Sequence, residues 1–246
     1  MDNQAGASRG ATDEPSPVCL LRIKRDIADF NSDPPPGIFI APEENDVKNI
    51  NAIVMGAPGT PHEGGFFHFY VQCTQRYPLE PPNVRCTTND SGRVQFNEHI
   101  YKSGSICLST LNTFGSSWSP AQSLSSLLVS IQSLLSEVWK FTNKDAGDRF
   151  ESIIQHETIR VAVCDTVEAC LQENSPFAQT LRDTVLKKFL ELYEKYEGVV
   201  NSKMHLTGTA MDDPMRMNSG VYQFETLLTR LRDLKAKVNE KKEAAA

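Results

Sequence analysis

The residue types and spacing that could do chemistry converge on Cys107, which follows a polar loop and precedes an apolar residue in the stretch Phe96-Asn97-Glu98-His99-Ile100-Tyr101-Lys102-Ser103-Gly104-Ser105-Ile106-Cys107-Leu108. Two side chains able to donate hydrogen bonds, His99 and Asn97, lie eight and ten residues upstream. A thiolate is a strong nucleophile and a good leaving group, so a cysteine in this setting suits a covalent role. The other five cysteines (Cys19, Cys73, Cys86, Cys164 and Cys170) have neither the close pairing of a zinc site nor the density of a disulfide scaffold, and read as reduced core residues. His62, His68, His156 and His205 have no nucleophile pattern beside them, and periodicity assigns them to strands or to the surface. Gly64-Gly65 precedes a strand and not a helix, so it is no phosphate cradle.

Composition narrows the functional classes. Lys and Arg total 25 against 31 Asp and Glu, giving a net charge of -6. An acidic chain is poorly matched to nucleic acid, which needs a basic face, so proteins are the expected partners. No window reaches the ~18 uninterrupted apolar residues of a membrane span, and residues 1 to 17 are polar, so a soluble intracellular protein without membrane association is expected, cytoplasmic and nuclear.

The elements that must position the cysteine follow from patterning. Residues 1–15, rich in Gly, Ala, Ser and Asp, are expected to be disordered. Ser16-Pro17 suits a helix start, and Leu20, Ile23, Ile27 and Phe30 recur at helical spacing with Arg22, Lys24 and Arg25 outside. Ile38 to Ala41, Asn49 to Met55, Phe66 to Gln72 and Asn83 to Thr87 read as strands, joined by Gly- and Pro-rich links into an antiparallel meander. Ser119-Pro120-Ala121-Gln122 has the form of a capping box, ahead of a stripe formed by Leu124, Leu127, Leu128, Ile131, Leu134 and Leu135 that crosses the buried face of the sheet. Three further helices are expected: Phe150 to Leu171; Pro176 to Glu197, stopped by Gly198; and Val221 to about Lys241, with a solvated basic face. The fold class is therefore α/β (α+β). Its plan is a core at 16–172 and a C-terminal helical extension at 173–246.

Taken together, these landmarks resemble the ubiquitin-conjugating enzyme family. Its usual active-site segment reads Phe-His-Pro-Asn-Ile-Tyr, a short Gly-containing turn, then Ile-Cys-Leu. Phe96, Ile100, Tyr101, Gly104, Ile106, Cys107 and Leu108 fit that form, while Asn97-Glu98-His99 replaces the His-Pro-Asn tripeptide. Gly64-Gly65-Phe66-Phe67, Tyr77-Pro78-Leu79-Glu80-Pro81-Pro82 and Trp118-Ser119-Pro120-Ala121 look like family signatures in the family's order. Within the family the chain is similar to a subtype with a long C-terminal extension. The shared features are Pro34-Pro35-Pro36-Gly37, extra residues between Cys107 and Trp118, the run His156 to Asp165, and Asn97 where most relatives carry His.

The resemblance implies that Cys107 accepts ubiquitin, or a ubiquitin-like modifier, as a thioester from an activating enzyme and passes it to a lysine or a ligase. ATP then belongs to the activating enzyme, and this chain needs no cofactor and no metal. His99 stands where the family's Asn is credited with stabilising the oxyanion or holding the loop, and either role is open to it; Asn97 reads more simply as a turn residue that orders the loop. In relatives the first helix meets the activating enzyme, which marks Arg22, Lys24 and Arg25. The ligase platform corresponds to Leu79, Ser119, Pro120 and Ala121. The segment Glu137 to Asp148 is shorter than the one that packs beside the cysteine in relatives. With the altered tripeptide, this motivates an alternative, a conjugating-enzyme-like binding or scaffold module impaired in transfer.

Overall fold

The computed structural model describes residues 17–111, 118–136 and 141–244. The disorder expected at 1–15, the Ser16 cap, and residues 137–140 of the shortened link lie outside the described residues.

The first helix, α1 (Pro17–Ser32), turns Cys19, Ile23, Asp26 and Phe30 inward. Four strands follow, β1 (Ile38–Pro42), β2 (Asn49–Met55), β3 (Phe66–Gln72) and β4 (Asn83–Cys86), in the sheet order β1-β2-β3-β4 with every pairing antiparallel. The meander expected from the sequence is thus present. Because side chains alternate across a strand, Ile50, Ala52, Val54, Phe67, Phe69 and Val71 share one face. They pack with Leu124, Leu127, Leu128 and Ile131 of the crossing helix α2 (Leu124–Leu134).

The opposite face is buried too. Ala41, Ile53 and Phe66 pack against α5 (Gln179–Ser202) and α6 (Phe224–Ala244), which explains why Phe66 and its neighbour Phe67 are both inside. Between α2 and α5 in the chain run α3 (Lys144–Glu157), a π-helical stretch Thr158–Asp165, and α4 (Thr166–Leu171). No described helix is long and apolar enough to cross a membrane.

Several helix boundaries differ from the sequence expectation. The capping box of α2 is formed by Ser123 and Ser126, because Ser119 to Gln122 close a separate turn whose Pro120 and Gln122 carbonyls receive the Arg22 guanidinium. α3 starts earlier than Phe150, since Asn143 caps it by accepting from the Asp145 amide at 2.9 Å. α5 runs through Gly198 to Ser202, and Val200 behind that glycine is fully buried, so packing outweighs glycine's entropic cost. α6 begins only at Phe224 because Tyr222 is held in a strand-like pair: its amide donates to Thr209 and its carbonyl accepts from Gly208.

Part of the basic side of α6 is docked, while Lys237 and Lys242 remain exposed as expected. Arg230 donates to Glu168 at 2.6 Å and to Asp165, Arg232 reaches Glu197 at 3.1 Å, and the Lys235 ammonium lies 3.8 Å from the Tyr193 ring centroid. His62 and His156 are likewise inside the protein, contrary to their expected surface or strand placement. His156 is fixed between the Glu157 carboxylate at 2.8 Å and the Gln223 amide at 3.0 Å.

Candidate active site

Cys107 lies on a small hairpin. The Cys107 amide donates to the His99 carbonyl at 2.7 Å, the Tyr101 amide to the Ser105 carbonyl at 2.9 Å, and Ile100 is bridged to Ile106 between them. Gly104, with φ of 85°, occupies the left-handed position that closes such a three-residue loop. A Cβ there would lie 2.4 Å from the Cys86 carbonyl oxygen, so only glycine fits. Two-residue alternation then sends Ile100 and Ile106 into the core and leaves His99, Tyr101, Ser105 and Cys107 on the outer face.

The hairpin is anchored from beneath. Asn97 is fully buried, and its Nδ2 donates to the Leu134 carbonyl at 2.9 Å, meeting one of the acceptors left open at the C-terminal end of α2. Its Oδ1 accepts from the His99 amide at 2.8 Å. Both ends of the Asn97 side chain are therefore used in holding the segment. His62 Nε2 is 2.9 Å from the Phe96 carbonyl, and its ring packs edge-on against Phe67 and Phe96. Burial holds the His62 imidazole below its ordinary range in spite of the Phe96 and Leu135 backbone groups beside it. At the turn, Asn89 Nδ2 donates to the Lys102 carbonyl at 2.8 Å.

Electrostatics separate the cysteines. All six are free, and only Cys107 is partly open to solvent. Burial pushes Cys73, Cys86, Cys164 and Cys170 up to about 12, and raises Cys19 as well. These five thiols are shut away from both water and the thiolate form. The Cys107 side chain beside it, with burial and the Glu98 carboxylate, pushes the Tyr101 phenol above the ordinary range. The His99 ring is half-buried, with Nε2 3.3 Å from Glu98 Oε1. Such an outer face can present a nucleophilic sulfur, a phenolic donor and an imidazole to an incoming acyl chain. Among the described residues no group of three or more His, Cys, Asp or Glu side chains is placed to hold a metal.

The residues marked for partners are exposed, with the exception of Arg22. Lys24 and Arg25 project from α1 into solvent, but Arg22 turns inward, donating to Asp26 at 2.9 Å and to the Pro120 carbonyl at 2.7 Å. Leu79 is 67% exposed, and Ser119, Pro120 and Ala121 are exposed beside it. Trp118 joins the two loops through its Nε1, which donates to the Pro78 carbonyl at 2.6 Å. Tyr77 completes the link to α1 with a hydrogen bond to Asp26.

Sequence reasoning missed His62, Tyr101 and the exposed apolar pair Val18 and Leu21 on α1. Tyr101 was within reach of an alternation argument from Cys107. His62 was not, because its partner is a backbone carbonyl 34 residues away.

Sequence comparisons with known proteins identify the family. The family model described as "Ubiquitin-conjugating enzyme" matches residues 22–158, more than half of the chain. The "Ubiquitin-conjugating enzyme E2 Z" of Xenopus tropicalis is 42% identical over 232 residues, which cover 91% of this chain and 73% of that protein. The protein of the same name from Homo sapiens is 42% identical over 236 residues, 92% of this chain and 65% of its own. A solved structure of human ubiquitin-conjugating enzyme E2 G1 overlaps 49% of this chain and 96% of its own, with 26% identity and a TM-score of 0.44. The E2 Z proteins are the extended subtype whose features the sequence shares, and the helix, antiparallel meander and crossing helix are the expected frame. The chain belongs to the ubiquitin-conjugating enzyme family.

Proposed function

We propose that this chain takes ubiquitin, or a ubiquitin-like modifier, from an activating enzyme as a thioester on Cys107 and passes it to a substrate lysine or a ligase cysteine. The observation that carries the reading is that Cys107 alone among six cysteines is partly open, on the outer face of a braced hairpin. In the first step the Cys107 thiolate attacks the modifier's carbonyl carbon, a new C–S bond forms, and the activating enzyme's thiolate leaves. ATP is consumed upstream by the activating enzyme, and this chain needs no cofactor of its own. In the second step a lysine amine attacks the thioester, Cys107 leaves as thiolate, and the nitrogen gives up its proton.

His99 is the proposed donor to the oxyanion of that second step, since the Asn97 side chain is fully buried and both its ends brace the loop. Asn97 supports the reaction by positioning. Lys24 and Arg25, with Arg22 ordering the loops behind them, are the proposed face for the activating enzyme, and Leu79, Ser119, Pro120 and Ala121 the proposed ligase platform. Free cysteines throughout fit a reducing compartment, the cytoplasm and nucleus.

The test is incubation with activating enzyme, ATP and ubiquitin, which is expected to give a reductant-sensitive adduct that Cys107→Ala abolishes. The commitment of Asn97 to structure also favours a second reading, a module that charges but transfers weakly; charging without discharge to lysine would select it.

A further inference from the structure

The C-terminal extension reaches the active-site segment directly. Asn218 lies in the loop between α5 and α6, yet its Oδ1 accepts from the Gln95 amide at 2.9 Å and its Nδ2 donates to the Gln95 carbonyl at 2.9 Å. One side-chain amide thus satisfies both backbone groups of Gln95, as a neighbouring strand would. Gln95 immediately precedes Phe96 and Asn97, and its own Nε2 donates to the Asn97 carbonyl at 3.0 Å.

The loop that carries Asn218 is itself built to hold this position. The Asp213 carboxylate accepts from the Met215 amide at 2.8 Å, the Met217 amide at 3.1 Å and the Asn218 amide at 2.8 Å. Arg216 takes a left-handed backbone conformation, with φ of 55°, in the middle of this turn. That conformation is uncommon for a residue with a side chain and persists where surrounding contacts enforce it. Met217 is buried in the same apolar cluster as Phe96, Leu134 and Leu135. Asp213 and Asn218 are both more than nine-tenths buried.

We infer that Asn218 is a positioning residue for transfer from Cys107. It fixes Gln95, and through Phe96 and Asn97 the place of His99 across from the sulfur. The extension is then a working part of the active site and not only a cover for the sheet. This inference rests on the proposed thioester chemistry for its kinetic consequence, but not for the hydrogen bonds themselves.

The test uses the full-length chain, Asn218→Ala, and two readouts. Single-turnover discharge of the thioester is measured against free lysine over a range of concentrations, and against a small thiol. The saturating lysine rate is expected to fall about tenfold, short of the ~10²-fold that a misplacement of about 1 Å can cost. The half-saturating lysine concentration and the thiol rate are expected to stay near wild type, because attack by a thiol needs less help at the oxyanion. An unchanged lysine rate, or equal slowing of lysine and thiol, would overturn the inference.

Amide hydrogen exchange supplies the second readout, with faster exchange at Gln95 and His99 expected in the variant. If wild type fails to charge, the proposed function fails, and exchange alone decides whether Asn218 braces the segment: unchanged protection at both amides rejects it. Should Asn218→Ala not fold, Asn218→Asp keeps the acceptor for the Gln95 amide, loses the donor, and is read in the same way.

Discussion

Cys107 and His99 are joined backbone to backbone, the amide of one donating to the carbonyl of the other at 2.7 Å, so their side chains leave the hairpin on the same face. The sulfur and the imidazole therefore start from neighbouring backbone positions on one face. Replacing His99 with Ala is expected to leave formation of the Cys107 adduct intact and to slow its discharge to lysine by about 10²-fold, the usual loss when an oxyanion donor is removed. Single-turnover discharge measures this. An unchanged rate would assign His99 to loop support alone.

Tyr101 shares that face, and the Cys107 side chain beside it pushes its phenol above the ordinary range. Tyr101→Phe removes a phenol O–H from the neighbourhood of the sulfur and is expected to slow alkylation of Cys107 by iodoacetamide at neutral pH by about threefold, the scale of one net hydrogen bond. Peptide mapping of the alkylated chain isolates the Cys107 rate. No change in that rate would show that the phenol does not act on the sulfur.

Acid is expected to weaken the fold before the carboxylates titrate. Burial lowers His68 from 6.5 to about 4 and also lowers His62 from 6.5. Both are neutral in the folded chain but take up protons in the unfolded chain as pH drops below 6.5. The unfolded state then binds more protons, so stability declines from pH 6.5 toward 4 and is complete above that window. Glu63, lowered by the Lys195 ammonium, loses its contribution only below its ordinary 4.5. Urea midpoints across this range should fall with pH in wild type and fall less in His68→Gln. A flat profile between pH 6.5 and 4.5 would contradict the assignment.

Arg230 ties α6 to the π-helical stretch and α4 through Asp165 and Glu168. Its guanidinium is held above the ordinary range: burial opposes the charge, but the Glu168 and Asp165 hydrogen bonds outweigh it. Because these partners are partly exposed, Arg230→Ala is expected to cost about 1 to 2 kcal/mol, read from the urea midpoint. A midpoint equal to wild type would mean that α6 is held by its apolar stripe alone.

Much of this arrangement was legible in the sequence, for identifiable reasons. The strands were readable because β-branched and aromatic runs were bounded by Gly and Pro, and α2 because six leucine and isoleucine positions repeated at helical spacing. Cys107 stood out by its neighbours. Helix ends were less readable: Ser119 offered a plausible cap, yet the Arg22 guanidinium claims the carbonyls of that turn and Ser123 caps instead. Gly198 failed as a stop signal because Val200 beyond it had a core to enter. The burial of Asn97 and the Gln95–Asn218 pair depend on partners 37 and 123 residues away, which no local pattern encodes.

The most direct measurement is the intact mass of the chain after incubation with activating enzyme, ATP and ubiquitin, for wild type, Cys107→Ser and Cys107→Ala. The account predicts a ubiquitin adduct on wild type that reductant removes, a reductant-resistant ester on Cys107→Ser, and none on Cys107→Ala. An adduct that survives in folded Cys107→Ala, or no adduct on folded wild type, would contradict it.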